Sequence, residues 1–231
     1  MAPALSPHSA YGRQAQARHN DLAVLEAARD VFTAQGAGAP VSAVAERAGV
    51  GMGTLYRRYG SKAELLQRLC LLAMEQTVAA AEAGLRAADP WAGLAGYITA
   101  CIELRAGALA ALAGHVEATG PMRRLARRSQ ERARALVGRA QASGQLRPDV
   151  TALDLAWLIE QFSRRAPGPL DPAEERRVRA RLVAIALDGL RAPGPDRLPG
   201  RPPSSAVYAK RWSLSPPRER RSGPGTRSTR S

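Results

Sequence analysis

The sequence predicts an all-α protein with a small N-terminal domain of three helices and a larger C-terminal helical domain. Alanine, leucine and arginine, which favour helices, are abundant, whereas aromatic residues make up only 4% of the chain. Apolar residues recur at helical spacing, and helix-start signals recur along the chain. No alternating strand pattern competes with them. A chain of 231 residues has room for a domain of ordinary size and a smaller one.

The first predicted helix lies in the stretch NDLAVLEAARDVFTAQG. Asn20 is the predicted N-cap and Gly36 the predicted stop. Five apolar residues share one face of this helix at spacings of one, four, seven and eight residues. They are Val24, Leu25, Ala28, Val31 and Phe32.

Two short helices and a long one follow. The second helix is predicted from Pro40 to Ala48, because proline is tolerated at a first helical position. Gly49 ends it, and the third helix is predicted over Thr54–Tyr59. Ser61 and Glu64 then form a capping box for a long fourth helix.

The C-terminal half shows further helix-start signals at Asp89, at Thr151 with Asp154, and at Asp171 with Glu174. They predict helices near 90–118, 121–143, 151–165 and 172–191. The domains predicted are a flexible N-terminal arm at 1–20, the three-helix domain at 21–66, a helical domain at 67–191 and a disordered basic tail at 192–231. The tail is rich in proline, glycine, serine and arginine and has too little apolar surface to fold.

The stretch AGVGMGTLYRRYGSK, between the second and fourth helices, predicts a helix-turn-helix unit whose second helix enters the DNA major groove. Gly49 supplies a backbone conformation with positive φ, and Gly51 and Gly53 allow close approach to phosphates or bases. Leu55 and Tyr59 point inward. The outer face then carries Thr54, Tyr56, Arg57 and Arg58, residue types that bind phosphates and bases. Lys62 adds a cation beside a helix N-terminus suited to an anion.

These residues resemble the N-terminal DNA-binding domain of TetR-family transcriptional regulators over about 21–66, through LAVLEAARDVFTAQG and VSAVAERAGVGMGTLYRRYGSKAELL. The resemblance implies a homodimer that binds a palindromic operator on double-stranded DNA and is released by a small-molecule effector. It also assigns a recognition-helix set and a phosphate contact. These are Met52, Gly53, Thr54, Tyr56 and Arg58 for the recognition helix and Lys62 for the phosphate.

Two departures from the family pattern affect this assignment. Ala39 and Pro40 stand where the family often has hydroxyl residues that cap the second helix and contact phosphate, which leaves Ser42 as the nearest substitute. Gly51 and Met52 replace the usual polar pair at the tip of the recognition helix. Base readout at that tip is therefore expected to be weaker or more apolar.

The C-terminal half resembles the SbtR-like subgroup in GQLRPDVTALDLAWLIEQFSR and LVAIALDGLRAP. The resemblance implies that the last two long helices pair across a two-fold axis into a four-helix bundle. The candidate seam or core residues are Leu155, Leu158, Ile159, Phe162, Leu182, Val183, Ile185, Ala186 and Leu190.

An effector pocket is expected between the C-terminal helices, as an apolar cavity with a few polar groups. The candidate residues are Trp91, Tyr97, Cys101, Glu103, Arg105, His115, Glu117 and Trp157. For each of them, packing or solvent exposure is the simpler interpretation.

The net charge of +14 is weak evidence for a nucleic-acid partner, because half of it lies in the tail, where nine basic residues face two acidic ones. Moreover, 32 of the 34 basic residues are arginine, a composition typical of a GC-rich coding sequence. The tail supports an alternative hypothesis, a helix-turn-helix-like interaction protein that acts mainly through this basic extension. In the more specific version of this hypothesis, the tail binds DNA without sequence preference.

The remaining features predict no enzyme, cofactor, metal site or membrane span. Cys70 and Cys101 lack metal-ligand spacing and suggest a reduced cytoplasmic protein. Catalytic, phosphate-loop and metal motifs are missing from the sequence. It also shows neither a signal-peptide core nor an apolar run of about 18 residues.

Overall fold

The computed structural model describes residues 7–110, 112, 115–164, 170–192 and 196–210, with side chains placed from residue 21 to 207 apart from Ala110. These residues form helices joined by turns, with one isolated bridge between Leu146 and Arg191. None of the described helices is long and apolar enough to cross a membrane. The helices are α1 Pro7–Gln35, α2 Val41–Ala48, α3 Met52–Tyr59, α4 Lys62–Arg86, α5 Pro90–Glu103, α6 Ala106–Ala110, α7 Gly120–Ala142, α8 Ala152–Ser163, α9 Pro172–Gly189 and α10 Ser205–Lys210.

The N-terminal domain packs α1, α2 and α3 around one apolar core. Phe32, Val44 and Leu55 contribute one buried side chain from each helix, and the predicted inner stripe of α1 is buried in full. Val50, in the turn between α2 and α3, packs against the same core. Burial of these faces fixes the angle between the two short helices, which have too few residues to be stable alone.

The start of α1 differs from the sequence prediction. The helix begins at Pro7, so Asn20 lies inside it and is not its N-cap. The predicted N-terminal arm at 1–20 is therefore helical from residue 7, while residues 1–6 lie outside the described part. A polar residue inside a helix and one at its start look alike in sequence, so Asn20 resembles a cap although the helix continues on both sides of it.

Helix α4 joins the two halves of the molecule. Its first turns, including Leu65 and Leu69, lie in the N-terminal core, and Ala81 lies in the core of the C-terminal half. Leu112 and Met122, from the C-terminal half, also pack into the N-terminal core. The predicted boundary between residues 66 and 67 thus falls within one continuous helix, which ties the two cores together.

A single helix near 90–118 was predicted, and the structure instead has α5 and α6 with a break at Arg105, whose φ is +49°. The cause is tertiary packing of α6 against α8. Gly107 lies so close to α8 that a Cβ on it would be 2.4 Å from the Cα of Glu160. Its amide donates to the Ser163 hydroxyl at 3.3 Å, so the chain must turn after α5 to reach this position.

The cap predictions of the C-terminal half are confirmed. Asp89 accepts hydrogen bonds from the amides of Trp91 and Ala92 at the start of α5. Thr151 with Asp154, and Asp171 with Glu174, form complete capping boxes for α8 and α9. Helices α5, α7, α8 and α9 then share the second apolar core, with α4 as their fifth member.

The start of the predicted tail is bound to the body. The Arg147 guanidinium donates to the Asp196 carbonyl, and Asp149 accepts from the Leu198 amide at 2.8 Å. Helix α10 lies within the predicted disordered region at 192–231, so that prediction was wrong for the described residues 196–210. A low apolar content does not exclude these contacts, because they are polar. Residues 211–231 lie outside the described part.

Candidate nucleic-acid interface

The turn between α2 and α3 has the predicted geometry. Gly49 ends α2 with φ +65° and ψ +30°, and its amide donates to backbone carbonyls of the last turn. A side chain in this left-handed conformation is strained, which accounts for glycine here. The chain then extends through Gly51, the N-cap of α3, at φ −70°.

Helix α3 presents one face to the core and the other to solvent. Leu55 and Tyr59 are buried, as predicted, whereas Met52 is 37% exposed and Tyr56 is 44% exposed. Gly53, Thr54 and Arg57 are exposed beside them. The exposed face thus combines an apolar tip, two hydroxyl groups and a guanidinium, which are suited to contacts with thymine methyls, phosphates and base edges.

The two glycines at this tip are not required by the protein's own packing. Gly51 and Gly53 both lack a positive φ, and a Cβ added to either would have no neighbour within 4 Å. Neither the backbone conformation nor the packing of the described residues therefore requires glycine at these two positions. This openness fits the predicted close approach of another molecule.

Arg58 does not project freely from α3. Its Nε lies 2.7 Å from Oδ1 of Asp21 on α1, with 32% of the Arg58 side chain and 23% of the Asp21 side chain exposed. Arg57 is exposed, as Arg58 is, but its Nη2 donates to Thr54 Oγ1 at 3.2 Å. The two neighbouring arginines therefore differ, since only Arg58 is held by a carboxylate.

Asp21 also binds Tyr59. The Tyr59 hydroxyl donates to Asp21 Oδ1 at 2.5 Å, the same oxygen that receives Arg58. Burial and then this hydrogen bond raise the pKa of Tyr59 above its ordinary value. The sequence alone does not indicate Asp21 as a site residue. Its contact with Tyr59 joins residues 38 positions apart and depends on how α1 packs against α3.

Lys62 is folded against the N-terminal domain. Its Nζ donates to the Ala39 carbonyl at 2.5 Å and lies 5.8 Å from the centroid of the Phe32 ring. The predicted phosphate contact would have to share this ammonium with the carbonyl or replace that bond. Ser42 is exposed on α2, where the N-cap Pro40 makes no side-chain cap hydrogen bond.

The candidate effector residues differ in burial. Trp91, Tyr97 and Cys101 are buried in the C-terminal core, while Glu103 and His115 are exposed. Glu117 is also exposed, and Arg105 and Trp157 are half-buried. Trp91 packs against Arg191, whose guanidinium carbon lies 4.6 Å from the ring centroid.

Two of these candidates do meet. The Cys101 thiol has the side chains of Tyr97 on α5 and Thr77 on α4 as hydrogen-bond partners. Burial raises the pKa of Cys101 to about 12, so the thiol is neutral at physiological pH. Thr77 is not a candidate from the sequence, because only the packing of α4 against α5 brings it next to Cys101.

A groove of about 520 Å³ on the surface of α7 has a different character from the predicted pocket. None of the candidate effector residues lines it. Its lining residues are Pro121, Arg124, Leu125, Arg127, Arg128, Glu131 and Arg132. Arg128 and Arg132 both approach Glu82 on α4, and the groove is therefore an open, mainly basic surface.

The predicted seam residues separate into two groups. Leu155, Ile159, Val183 and Leu190 are buried in the core of the single chain. Leu158, Phe162 and Ala186 are half-buried. Leu182 and Ile185 are 47% and 59% exposed, and Val178 is exposed on the same side of α9. Spacings of four and seven residues place these three on one apolar stripe.

A helix-turn-helix with an outward recognition helix, joined through α4 to a second helical domain, defines the protein as a two-domain DNA-binding regulator. Residues 24–69 match the model of the bacterial regulatory proteins of the TetR family, and residues 89–192 match the C-terminal domain model of SbtR-like transcriptional regulators. The chain belongs to the TetR family and has an SbtR-like C-terminal domain.

Solved structures of TetR regulators share this fold. A TetR transcription regulatory protein from Mycobacterium vanbaalenii is 28% identical, with a TM-score of 0.54 over 78% of this chain and 99% of that one. A TetR regulator from Streptomyces coelicolor is 28% identical, with a TM-score of 0.53 over 74% and 98%. The TetR-family regulator PfmR from Thermus thermophilus is 27% identical, with a TM-score of 0.52 over 75% and 99%. No curated protein matches the sequence.

Proposed function

We propose that this protein is a homodimeric transcriptional repressor that binds a palindromic operator and is released by a small-molecule effector. The observation that carries the proposal is the division of α3, with Leu55 and Tyr59 buried and Tyr56 exposed beside Thr54 and Arg57. A helix held in this way by its inner residues can enter the major groove with its outer side chains pointing at base edges.

The apolar stripe on α9 supports the homodimer. Val178, Leu182 and Ile185 would gain burial if the same face of a second copy packed on them. Such an isologous contact relates the two recognition helices by a two-fold axis. The bound DNA should then have matching half-sites about one helical turn apart.

The proposed effector site is the polar cluster of Thr77, Tyr97 and Cys101 and its apolar surroundings. Thr77 belongs to α4, which also carries Leu65 and Leu69 into the N-terminal core. A ligand that separated α4 from α5 at this cluster would shift the helix that supports the DNA-binding domain. Glu103 and His115 are poorer candidates, because both are exposed.

The proposal is tested by selecting bound duplexes from a random DNA pool with the full chain. A palindromic sequence should be enriched, and Tyr56→Ala should weaken binding to it by roughly 5- to 150-fold, since a good side-chain contact to a base typically contributes about 1–3 kcal/mol. Leu198→Ala, which truncates an exposed uncharged side chain outside the DNA-binding domain, is the control. Failure to enrich any palindrome would contradict the proposal.

The same experiment distinguishes the tail hypothesis. Removal of residues 211–231 leaves the anchored segment at 196–198 in place, so it tests the outer tail alone. Loss of all DNA binding in this truncation, with full binding by Tyr56→Ala, would favour an interaction protein that acts through its basic extension.

A further inference from the structure

We propose that Asp21 withholds Arg58 from DNA, so that in this protein Arg58 serves as the internal partner of a carboxylate and does not bind a phosphate. Asp21 is then a positioning residue that limits the number of phosphate contacts made by α3. This inference rests on the proposed DNA-binding function. It concerns a residue of α1 that lies outside the recognition helix.

The first step is the geometry of the ion pair. Arg58 Nε lies 2.7 Å from Asp21 Oδ1, within the range of a charge-assisted hydrogen bond. About two thirds of the Arg58 side chain and three quarters of the Asp21 side chain are covered. A pair with this much burial is screened less by salt and water than a pair on an open surface. Separating it would leave a partly buried carboxylate without its cation.

The second step is the way Asp21 is itself fixed. The Tyr59 hydroxyl donates to the same carboxylate oxygen at 2.5 Å, and Tyr59 is 5% exposed. Because Tyr59 is packed in the core, Asp21 cannot follow Arg58 outward without losing this hydrogen bond. The carboxylate is therefore anchored in place, and it holds Arg58 at the C-terminal end of α3.

The third step is the contrast with Arg57. Both arginines are exposed as whole residues, so the contrast lies in their partners. The Arg57 Nη2 donates to Thr54 Oγ1 at 3.2 Å, a bond to a neutral side chain of the same helix. A phosphate can replace this weak partner at little cost, whereas for Arg58 it would have to compete with an anchored carboxylate. Of the two adjacent arginines, Arg57 is the one available to the duplex.

The consequence for binding is electrostatic. Each phosphate neutralised by a side chain releases condensed counterions and steepens the dependence of log K on log salt by about 0.9. Release of Arg58 would add one such contact. Because a phosphate contact carries no base information, the gain would be similar on operator and on unrelated DNA. Asp21 thus lowers the affinity for every duplex to a similar extent and leaves the ratio of operator to unrelated DNA binding unchanged.

The test measures duplex binding by the full chain at several salt concentrations. Asp21→Asn keeps an acceptor for Tyr59 but removes the charge, and it should steepen the salt slope by about 0.9 on both DNAs. Arg58→Ala alone should leave the wild-type slope unchanged. In the double variant Asp21→Asn/Arg58→Ala, the gain should disappear. Glu26→Gln, an exposed carboxylate of the same helix, is the matched control for charge alone.

Three outcomes would overturn the inference. One is a loss of about 0.9 in slope from Arg58→Ala alone, which would show that Arg58 binds a phosphate in the complex. Another is a gain from Asp21→Asn that survives in the Arg58→Ala background or is matched by Glu26→Gln. The third is an unchanged salt slope in Asp21→Asn while the wild-type chain binds duplex normally. That result would overturn this inference and leave the proposed function intact. If the wild-type chain binds no duplex, the proposed function fails with it.

Discussion

Gly84 and Gly93 bring α4 and α5 into backbone contact. A Cβ built on Gly93 would lie 2.2 Å from the carbonyl oxygen of Gly84, and one built on Gly84 would lie 2.5 Å from the carbonyl oxygen of Gly93. No side chain fits between the helices here. The contact fixes the angle at which α4 crosses α5. The Thr77–Tyr97–Cys101 cluster is formed by the same two helices.

The first prediction concerns this crossing. Gly93→Ala should lower the free energy of unfolding by about 1–3 kcal/mol, because backbone atoms must move to admit the methyl group. Thermal unfolding would report it, at roughly 2–4 °C of Tm for each kcal/mol in a chain of this size. Gly96→Ala is the control on the same helix, since its Cβ meets nothing within 4 Å. Equal stability of the two variants would contradict the tight contact.

A second glycine prediction concerns the tip of α3. Gly53→Ala should fold normally, because Gly53 has open space around it and no positive φ, and alanine favours helix by about 1 kcal/mol. The added methyl should nevertheless weaken operator binding if the backbone approaches DNA closely here. Thermal unfolding and duplex titration together separate the two effects. Unchanged DNA affinity would show that this glycine has no role at the interface.

Features set by a few neighbouring residues were predictable from the sequence. Gly49 adopts the expected left-handed conformation, and the boxes of Thr151 with Asp154 and of Asp171 with Glu174 form as expected. Each depends on contacts within one helical turn. The inward positions of Leu55 and Tyr59 followed from the periodicity of a helix with one buried face.

Features set by packing between distant elements were not predictable. The pairing of Asp21 with Arg58, and the break at Arg105, depend on the docking of α1 on α3 and of α6 on α8. Helical periodicity shows which residues of α3 lie on its outer face. It does not show whether an arginine on that face is already paired with a carboxylate of another helix. The same limit applies to Lys62, which donates to the Ala39 carbonyl.

The apolar stripe on α9 gives the third prediction. Ile185→Arg should shift the proposed homodimer to monomer, because it places a charge in a face that would be desolvated. Size-exclusion chromatography with light scattering would measure the change. Ala184→Arg, exposed on another side of the same helix, is the control and should leave the mass unchanged. Identical masses for both variants and the wild type would exclude the stripe as the dimer contact.

The fourth prediction concerns the anchored start of the tail. The side-chain hydrogen bond from Arg147 lowers the pKa of Asp149 to about 2, and Asp149 also holds the amide of Leu198. Since the folded pKa lies below the ordinary value of about 3.9, the contact is fully present above pH 4 and is lost as the pH falls through about 2. It should therefore not vary between pH 5 and pH 8.

Trypsin cleavage after Arg197 reports this contact directly, because the bond that is cut contains the Leu198 amide bound by Asp149. Asp149→Asn removes the negative charge that binds both Arg147 and this amide, so cleavage at Arg197 should become several-fold faster at pH 8. Mass spectrometry of the products would separate this site from those at Lys210 and beyond. Asp188→Asn, an exposed carboxylate near the end of α9, is the control. If the wild-type chain were cut at Arg197 as fast as Asp149→Asn, the anchor would not hold the segment in solution.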